Sequence, residues 1–244
     1  MRAWIIAWRV LRQILLDRRF FGLSVVVPLV IMFLMKLFFD TLPHYPLTNR
    51  YVIPMSAFVV HFFSFIIASV ALVQERTRGT LERLFISGTG KWEVILGYLI
   101  GFLFLGTVQT VAVIFSLIIF FQLSYSPGVF FILALIIWIL AAVSVMIGLF
   151  ISTFARHEGH VFPFVPLVSI PSFFFSGLLI DFDRLPLWGQ AIGLLYPFHY
   201  AVNSLLELIS RNPDASYIWV NTLLLIFYAV TSLLVSSRTL RDVD

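Results

Sequence analysis

The chain has 244 residues, 61% of them hydrophobic and only 11% charged, with a mean hydropathy of +1.03 and a formal net charge of +4. An ordinary soluble domain is roughly half apolar and about a quarter charged, so this composition excludes a soluble enzyme of normal type and excludes disorder. There is no cysteine, which excludes disulfides, thiol chemistry and Cys-ligated zinc or iron–sulfur centres.

The apolar residues come in long continuous runs, not in the alternation of a β-barrel. Six spans of about 20 residues use roughly half the chain. The expected class is therefore an all-α membrane protein, residues 1–244 forming one domain. The basic excess suits cytoplasmic loops better than nucleic acid.

Residues 1–20 read as a helix lying in the membrane interface. Trp4, Trp8, Leu11 and Leu15 share one face, and Arg2, Arg9, Arg12 and Arg19 lie largely on the other. A cleaved signal peptide is disfavoured, because the apolar run after Arg19 is too long and ends in Lys36, Phe38 and Phe39 without a small-residue cleavage site. Span one is expected from Gly22 to Phe39, kinked at Pro28, with Lys36 snorkelling from its far end. A polar loop runs from Asp40 to Arg50, and span two from Val52 to Val73.

The most charged stretch, Gln74 to Lys91, follows. Span three is expected from Val94 to Phe121, a turn from Gln122 to Gly128, and span four from Val129 to Phe154. After the polar loop 155–160 comes span five, Val161 to Ile180. Its Pro163, Pro166 and Pro171 make a continuous helix doubtful. Residues 181–216 contain an apolar run, but a seventh span would put Gln190, Pro197, His199, Asn203 and Glu207 in lipid. Two short extracytoplasmic helices, interfacial or re-entrant, fit better. Span six runs from Tyr217 to Val235.

Charge counting agrees with six spans and both termini cytoplasmic. Twelve of the 16 Lys and Arg then fall inside (Arg2, Arg9, Arg12, Arg18, Arg19, Arg76, Arg78, Arg83, Lys91, Arg156, Arg238 and Arg241). Lys36, Arg50, Arg184 and Arg211 fall outside.

The segment ERTRGTLERL, Glu75 to Leu84, is the most informative for function. Thr80, or Thr77 just before it, suits the cap of a short helix whose apolar side includes Leu81, Leu84 and Phe85. Glu75, Arg76, Arg78, Glu82 and Arg83 decorate that helix with both signs. A docking knob at the membrane surface and a solvated connecting loop both fit these residues.

Other candidate sites are weaker. SGTGKW, Ser87 to Trp92, hints at a phosphate loop, but Phe85 stands where the first glycine belongs and Trp92 where a magnesium-binding hydroxyl belongs. HEGH, His157 to His160, offers too few ligands for zinc, so no metal site is assigned. His61 in span two either lines a pathway or bonds to a neighbouring span. Gly97 and Gly101 form a GxxxG that reads as close helix packing within one protomer, and Gln109 and Gln122 as bridges between helices. Phe173, Phe174 and Phe175 with Ser176 and Gly177 read either as an apolar outer gate or as lipid-facing aromatics. Asp181 and Asp183 set topology or cap the following helix. No catalytic constellation stands out. An ATPase-independent transporter or channel would need intramembrane acids, which the spans lack, and a membrane enzyme would have to act through the histidines.

The run ERTRGTLERLFISGTGKWEVILGYLIGF, Glu75 to Phe102, resembles the signature region of ABC-2 type permeases, most of all the drug-resistance, daunorubicin-exporter-like branch. GLFISTFAR (148–156), FFFSGLLI (173–180), LPLW (185–188) and YPFHYAV (196–202) are similar to later family segments, in the family's order.

The resemblance implies a six-span permease subunit of an ATP-driven exporter in a prokaryotic plasma membrane. It implies pairing with a second protomer, an identical copy, and with two copies of a separate ATPase that binds ATP and Mg. Residues 75–90 would be the coupling helix, giving Glu75, Arg78, Gly79, Thr80, Glu82 and Arg83 docking roles. It implies a substrate path between protomers along spans one, two and five, and favours the gate reading of Phe173–Ser176. His61 could line that path. Gly88 stands where many relatives have proline, which implies a more flexible loop. His157, Glu158 and His160 replace less basic residues of many relatives.

Overall fold

The structure, a computed structural model, describes residues 2–41 and 48–239, and among these it is all-helical with no strand. Most of the loop expected between Asp40 and Arg50, and Arg241 of the basic tail, lie outside the described residues.

Helix α1 runs Arg2–Leu16 and α2 Arg18–Asp40. Asp17 divides them, its carboxylate accepting the Phe20 N–H at 3.0 Å. This cap starts α2 before Gly22, so Arg18 and Arg19 form its first turn. Helix α3, Thr48–Thr77, continues past Val73 and carries Glu75 and Arg76 as helical residues. Then follow α4, Thr80–Ile86, α5, Lys91–Ile119, and α6, Pro127–Ser152. Ser126 caps α6, and Pro127 occupies its first turn, where a missing N–H costs nothing. Beyond a 3-10 turn at Glu158–His160 lie α7, Phe164–Phe174, a second 3-10 turn at Phe182–Arg184, α8, Leu187–Gly193, α9, Pro197–Leu208, and α10, Ala215–Thr239.

Five helices, α2, α3, α5, α6 and α10, are long and apolar enough to cross a membrane. The run expected as span five differs. It holds only the 11-residue α7. Pro163 precedes this helix, Pro171 interrupts its hydrogen bonding, and the chain leaves the helix at Phe175 before Gly177 turns it with φ of +92°. Residues 181–216 hold the two short helices α8 and α9.

Helices α3 and α6 pack together most extensively, and α1 lies along α5. Gly148 allows the first contact, since a Cβ there would meet the Phe65 carbonyl at 2.5 Å. Gly97 and Gly101 allow the second: added Cβ atoms would meet Ile6 and Val10 at 2.6 Å each. Helix α1 therefore has two apolar stripes. Ile6, Ala7, Val10 and Ile14 are buried, whereas Trp4, Trp8 and Leu15 remain exposed.

The buried side chains form two main clusters. One joins α3, α6 and α9 through residues such as Val60, Leu140 and Phe198. The other gathers Val10 of α1 and Leu81 of α4 with Leu72, Tyr98 and Met146. The second cluster roots both α1 and α4 in the helical body.

Candidate functional site

Helix α3 ends where Gly79, with φ of +69°, reverses the chain; its N–H donates to the Arg76 carbonyl at 3.0 Å. This left-handed stop is cheap only for glycine. Thr80 does not cap α4. Gly79 holds the cap position without a side-chain bond, and the Thr80 hydroxyl bonds back to Glu75, reaching its carbonyl at 2.9 Å and also its carboxylate.

The far end of α4 is closed by Gly88, with φ of +78°. The Gly88 N–H donates to the Phe85 carbonyl at 2.9 Å and the Thr89 N–H to the Leu84 carbonyl at 3.2 Å. This is a Schellman closure. The glycine that implied a looser loop is thus held by backbone bonds, and its own carbonyl accepts from Arg2 of α1. Glu93 then accepts the Gly90 N–H at 2.9 Å, starting α5.

Beneath α4 lies a charged network. The Arg9 guanidinium of α1 is 3.2 Å from the Glu75 carboxylate and donates to the Tyr98 hydroxyl of α5 at 2.7 Å. Glu75 and Tyr98 are buried, at 9% and 1% exposure. Arg76 reaches the other way, donating to the Ala155 carbonyl beyond α6 at 2.6 Å. Leu81 is the fully buried anchor of α4, with Leu84 and Phe85 packed against the same cluster, while Glu82, Arg83 and Ile86, and Arg78 in the turn before the helix, face outward. Ile86 is 85% exposed, the most exposed apolar side chain of the knob. Of the six residues named for docking, Glu75 points inward, Thr80 is tied to it, and Gly79 makes the turn. Sequence reasoning missed Arg9 and Tyr98 as their supports.

The other named residues gather elsewhere. His61 is 1% exposed, with Nδ1 2.7 Å from the Ser144 hydroxyl of α6. Ser144 spends its proton on the Leu140 carbonyl at 2.6 Å, so His61 Nδ1 is the donor. Its Nε2 is buried without a hydrogen-bond partner, and the ring stacks on Phe198 at 5.6 Å. Phe58 joins this group to Phe173, with ring centroids 4.9 Å apart. Phe174 is 48% exposed, Phe175 packs on Trp188 and Ser176 is fully buried.

The non-helical backbone at Ser176 is held by α9. His199 Nδ1 donates to the Ser176 carbonyl at 3.0 Å, and its Nε2 accepts from Asn203. Burial lowers the His199 pKa, opposed by the Ser176 hydrogen bond. Asp181 caps no helix through its side chain; it pairs with Arg50 and, at 3.3 Å, with Arg184. Gln109 bridges α2 and α3, donating to the Ser24 carbonyl at 2.9 Å and accepting from Ser64 at 3.1 Å. The rings of His157 and His160 lie 3.7 Å apart, tilted at 44°, and among the described residues no group of three or more metal-ligating side chains forms.

Five long apolar helices, a basic amphipathic helix and a charged knob define a multi-pass α-helical membrane protein. The profile of the ABC-2 type transporter family matches residues 1–210, and the chain belongs to that family. Among its relatives, the probable multidrug ABC transporter permease YbhR of Escherichia coli is 24% identical over 63% of this chain and 42% of that protein. The probable multidrug ABC transporter permease YbhS of the same organism is 25% identical over 75% of this chain and 49% of its own length. ABC transporter G family member 20 of Dictyostelium discoideum is 25% identical over 73% of this chain and 24% of its own. The chain thus matches less than half the length of each of these relatives.

Proposed function

We propose that this chain is the membrane-spanning permease of an ATP-driven exporter that moves an apolar or amphipathic substrate out of the cytoplasm by alternating access. Residues 1–244 form its single transmembrane domain. The chain crosses the membrane six times, with the broken α7 segment as the fifth crossing, α8 and α9 on the outer side, and both termini cytoplasmic. It works beside a second permease protomer in a prokaryotic plasma membrane. ATP and Mg are bound by two copies of a separate ATPase, not by this chain.

The observation that carries this reading is the construction of α4. A seven-residue helix bearing exposed Glu82, Arg83 and Ile86, with exposed Arg78 in the turn before it, stands on a buried network of Glu75, Arg9, Tyr98 and Thr80. A connecting loop needs no such foundation. A rigid foot under an exposed, two-signed tip suits a surface that receives force from a partner. The relatives' names, which call two of them multidrug permeases, support the exporter reading and a drug-like substrate.

The test is capture of the tagged chain in mild detergent from its native membranes, followed by mass spectrometry. A co-purifying nucleotide-binding ATPase, lost when residues 75–88 are scrambled, is the expected result. A folded, membrane-inserted chain that reproducibly brings down no ATPase would refute the exporter reading.

A further inference from the structure

Helix α1 runs beside α5 in the same chain direction, with Ile6 against Gly97 and Val10 against Gly101. Arg2 meets the Gly88 carbonyl of the knob, so the α1–α2 joint is the end of α1 remote from the knob. Five arginines precede Phe20, and the structure divides them. Arg2 is engaged at Gly88, and Arg9 at Glu75 and Tyr98. Arg12, Arg18 and Arg19 are exposed, and among the described residues none of the three pairs with a carboxylate. Asp17, which lies between them in the chain, accepts the Phe20 N–H. The joint therefore carries three cations against one anion that is already hydrogen-bonded.

This basic patch is continuous with an apolar surface. Leu15 and Leu16, three and four positions beyond Arg12, are 47% and 71% exposed. Arg19 begins a stripe on α2 that continues through Leu23, Val26, Val30 and Leu37, all exposed and all on one helical face. Residues 20–39 of this helix extend about 30 Å at 1.5 Å per residue, the thickness of the hydrocarbon layer. With those residues in the layer, Arg18 and Arg19 stand where acyl chains give way to headgroups. An acidic peptide would satisfy the arginines and leave the stripe uncovered. A second copy brings the same positive charge to an isologous contact. A diacyl lipid with a negative head matches both parts of the surface.

We propose that the α1–α2 joint binds the headgroup of an anionic phospholipid through Arg12, Arg18 and Arg19, with the acyl chains along the exposed stripe of α2. The lipid is a bound component of the membrane and not cargo. The proposal needs only that α2 spans the membrane, so it succeeds or fails independently of ATPase capture.

The purified full chain is equilibrated in detergent with equal amounts of phosphatidylglycerol and phosphatidylcholine of the same acyl chains, and bound lipid is counted by native mass spectrometry. The unaltered chain is expected to retain phosphatidylglycerol at least about tenfold over phosphatidylcholine, a preference that falls as salt is raised. The triple variant Arg12→Gln, Arg18→Gln and Arg19→Gln is expected to lose the preference while keeping its unfolding midpoint, because all three side chains are exposed. A second triple variant, Arg156→Gln, Arg211→Gln and Arg238→Gln, removes the same charge at other exposed positions and is expected to keep the preference. Equal retention of the two lipids by the unaltered chain, or an undiminished preference in the joint variant, overturns the proposal. So does an equal loss in both triple variants, which would assign the preference to overall charge. Self-association lost by the joint variant with lipid preference intact would assign the patch to a second copy, and binding of polyglutamate without lipid selection would assign it to an acidic protein; either result also overturns the proposal.

Discussion

Arg9 and Glu75, 66 positions apart in sequence, meet with 3.2 Å between guanidinium and carboxylate. Their pairing joins the helix expected to lie on the membrane to the helix end from which the knob departs. Glu75 is the more deeply buried partner. Removing Arg9 therefore leaves a buried carboxylate with the Thr80 hydroxyl but no counter-charge, whereas removing Glu75 leaves a guanidinium that still has Tyr98 and some solvent. Arg9→Met is expected to destabilise the chain by about 1–3 kcal/mol, more than Glu75→Gln does. The double variant should be more stable than Arg9→Met alone. Thermal unfolding in detergent measures all three, and additive losses would contradict the pairing.

The outward residues of α4 and of the turn before it should behave differently. Arg78→Glu and Glu82→Arg change charge at exposed positions, so stability should move by no more than about 0.5 kcal/mol. On the proposed exporter function, transport driven by a partner ATPase should be abolished while expression is unchanged. Normal transport by both variants would remove the coupling role of α4.

Gly97→Ala and Gly101→Ala push α1 off α5. Each adds a Cβ 2.6 Å from an α1 side chain, and overpacking of this kind costs typically about 1–3 kcal/mol. Ile6→Ala should leave the first variant unrelieved, because the Ile6 Cβ itself lies at 2.6 Å and the Ala3 carbonyl at 2.9 Å, whereas Val10→Ala should relieve the second in part, removing the Cγ1 contact at 2.6 Å and leaving the Cβ at 2.8 Å. Gly148→Ala has no such remedy, because its added Cβ meets the Phe65 backbone carbonyl. Proteolysis of α1 in detergent, together with unfolding midpoints, reports the displacement.

His61 and Ser144 form a buried pair. Ser144→Ala leaves the His61 donor unsatisfied and is expected to cost about 1–3 kcal/mol, while His61→Phe with Ser144→Ala should be closer to neutral. If Ser144→Ala unfolds at the wild-type temperature, the hydrogen bond contributes nothing.

Gly79→Ala should weaken the α3–α4 turn by about 1–2 kcal/mol. No atom lies within 4 Å of the added Cβ, so the whole effect is backbone conformation. Gly79→Asn should be milder, since asparagine tolerates the left-handed region. Equal losses for the two would point to a steric cause instead.

Local pattern made much of this fold legible. Apolar runs located α2, α3, α5, α6 and α10, because a helix in lipid advertises itself by length and composition. The spacing of Gly97 and Gly101 announced a close helix contact, though not that α1 would fill it. The mixed charges of Glu75–Arg83 marked the knob.

What stayed hidden depended on three-dimensional pairing. Nothing near Arg9 in sequence distinguishes it from Arg12, which remains exposed. Glu75 looked like one more surface charge until α1 closed over it. Gly88 lay just past the last apolar residue of a short helix, the position of a C-terminal stop, but the likeness to proline-bearing relatives drew the reading toward flexibility. The brevity of α7 was half visible in its prolines. Its end at Phe175 depends on contacts with α9 that no local pattern encodes.

At about 1.5 Å per residue, the 11 residues of α7 make a cylinder roughly 16 Å tall. The hydrocarbon layer is about 30 Å thick. Under the proposed six-span reading, about half the depth of that layer has no helix along this segment to shield its amides. Peptide groups outside a helix do not survive against acyl tails, which makes the imidazole of His199 on the Ser176 carbonyl a substitute for a missing turn. Under the proposed reading, fully buried Ser176 meets α9 in place of acyl tails, so the layer is crossed there along a seam sealed by protein.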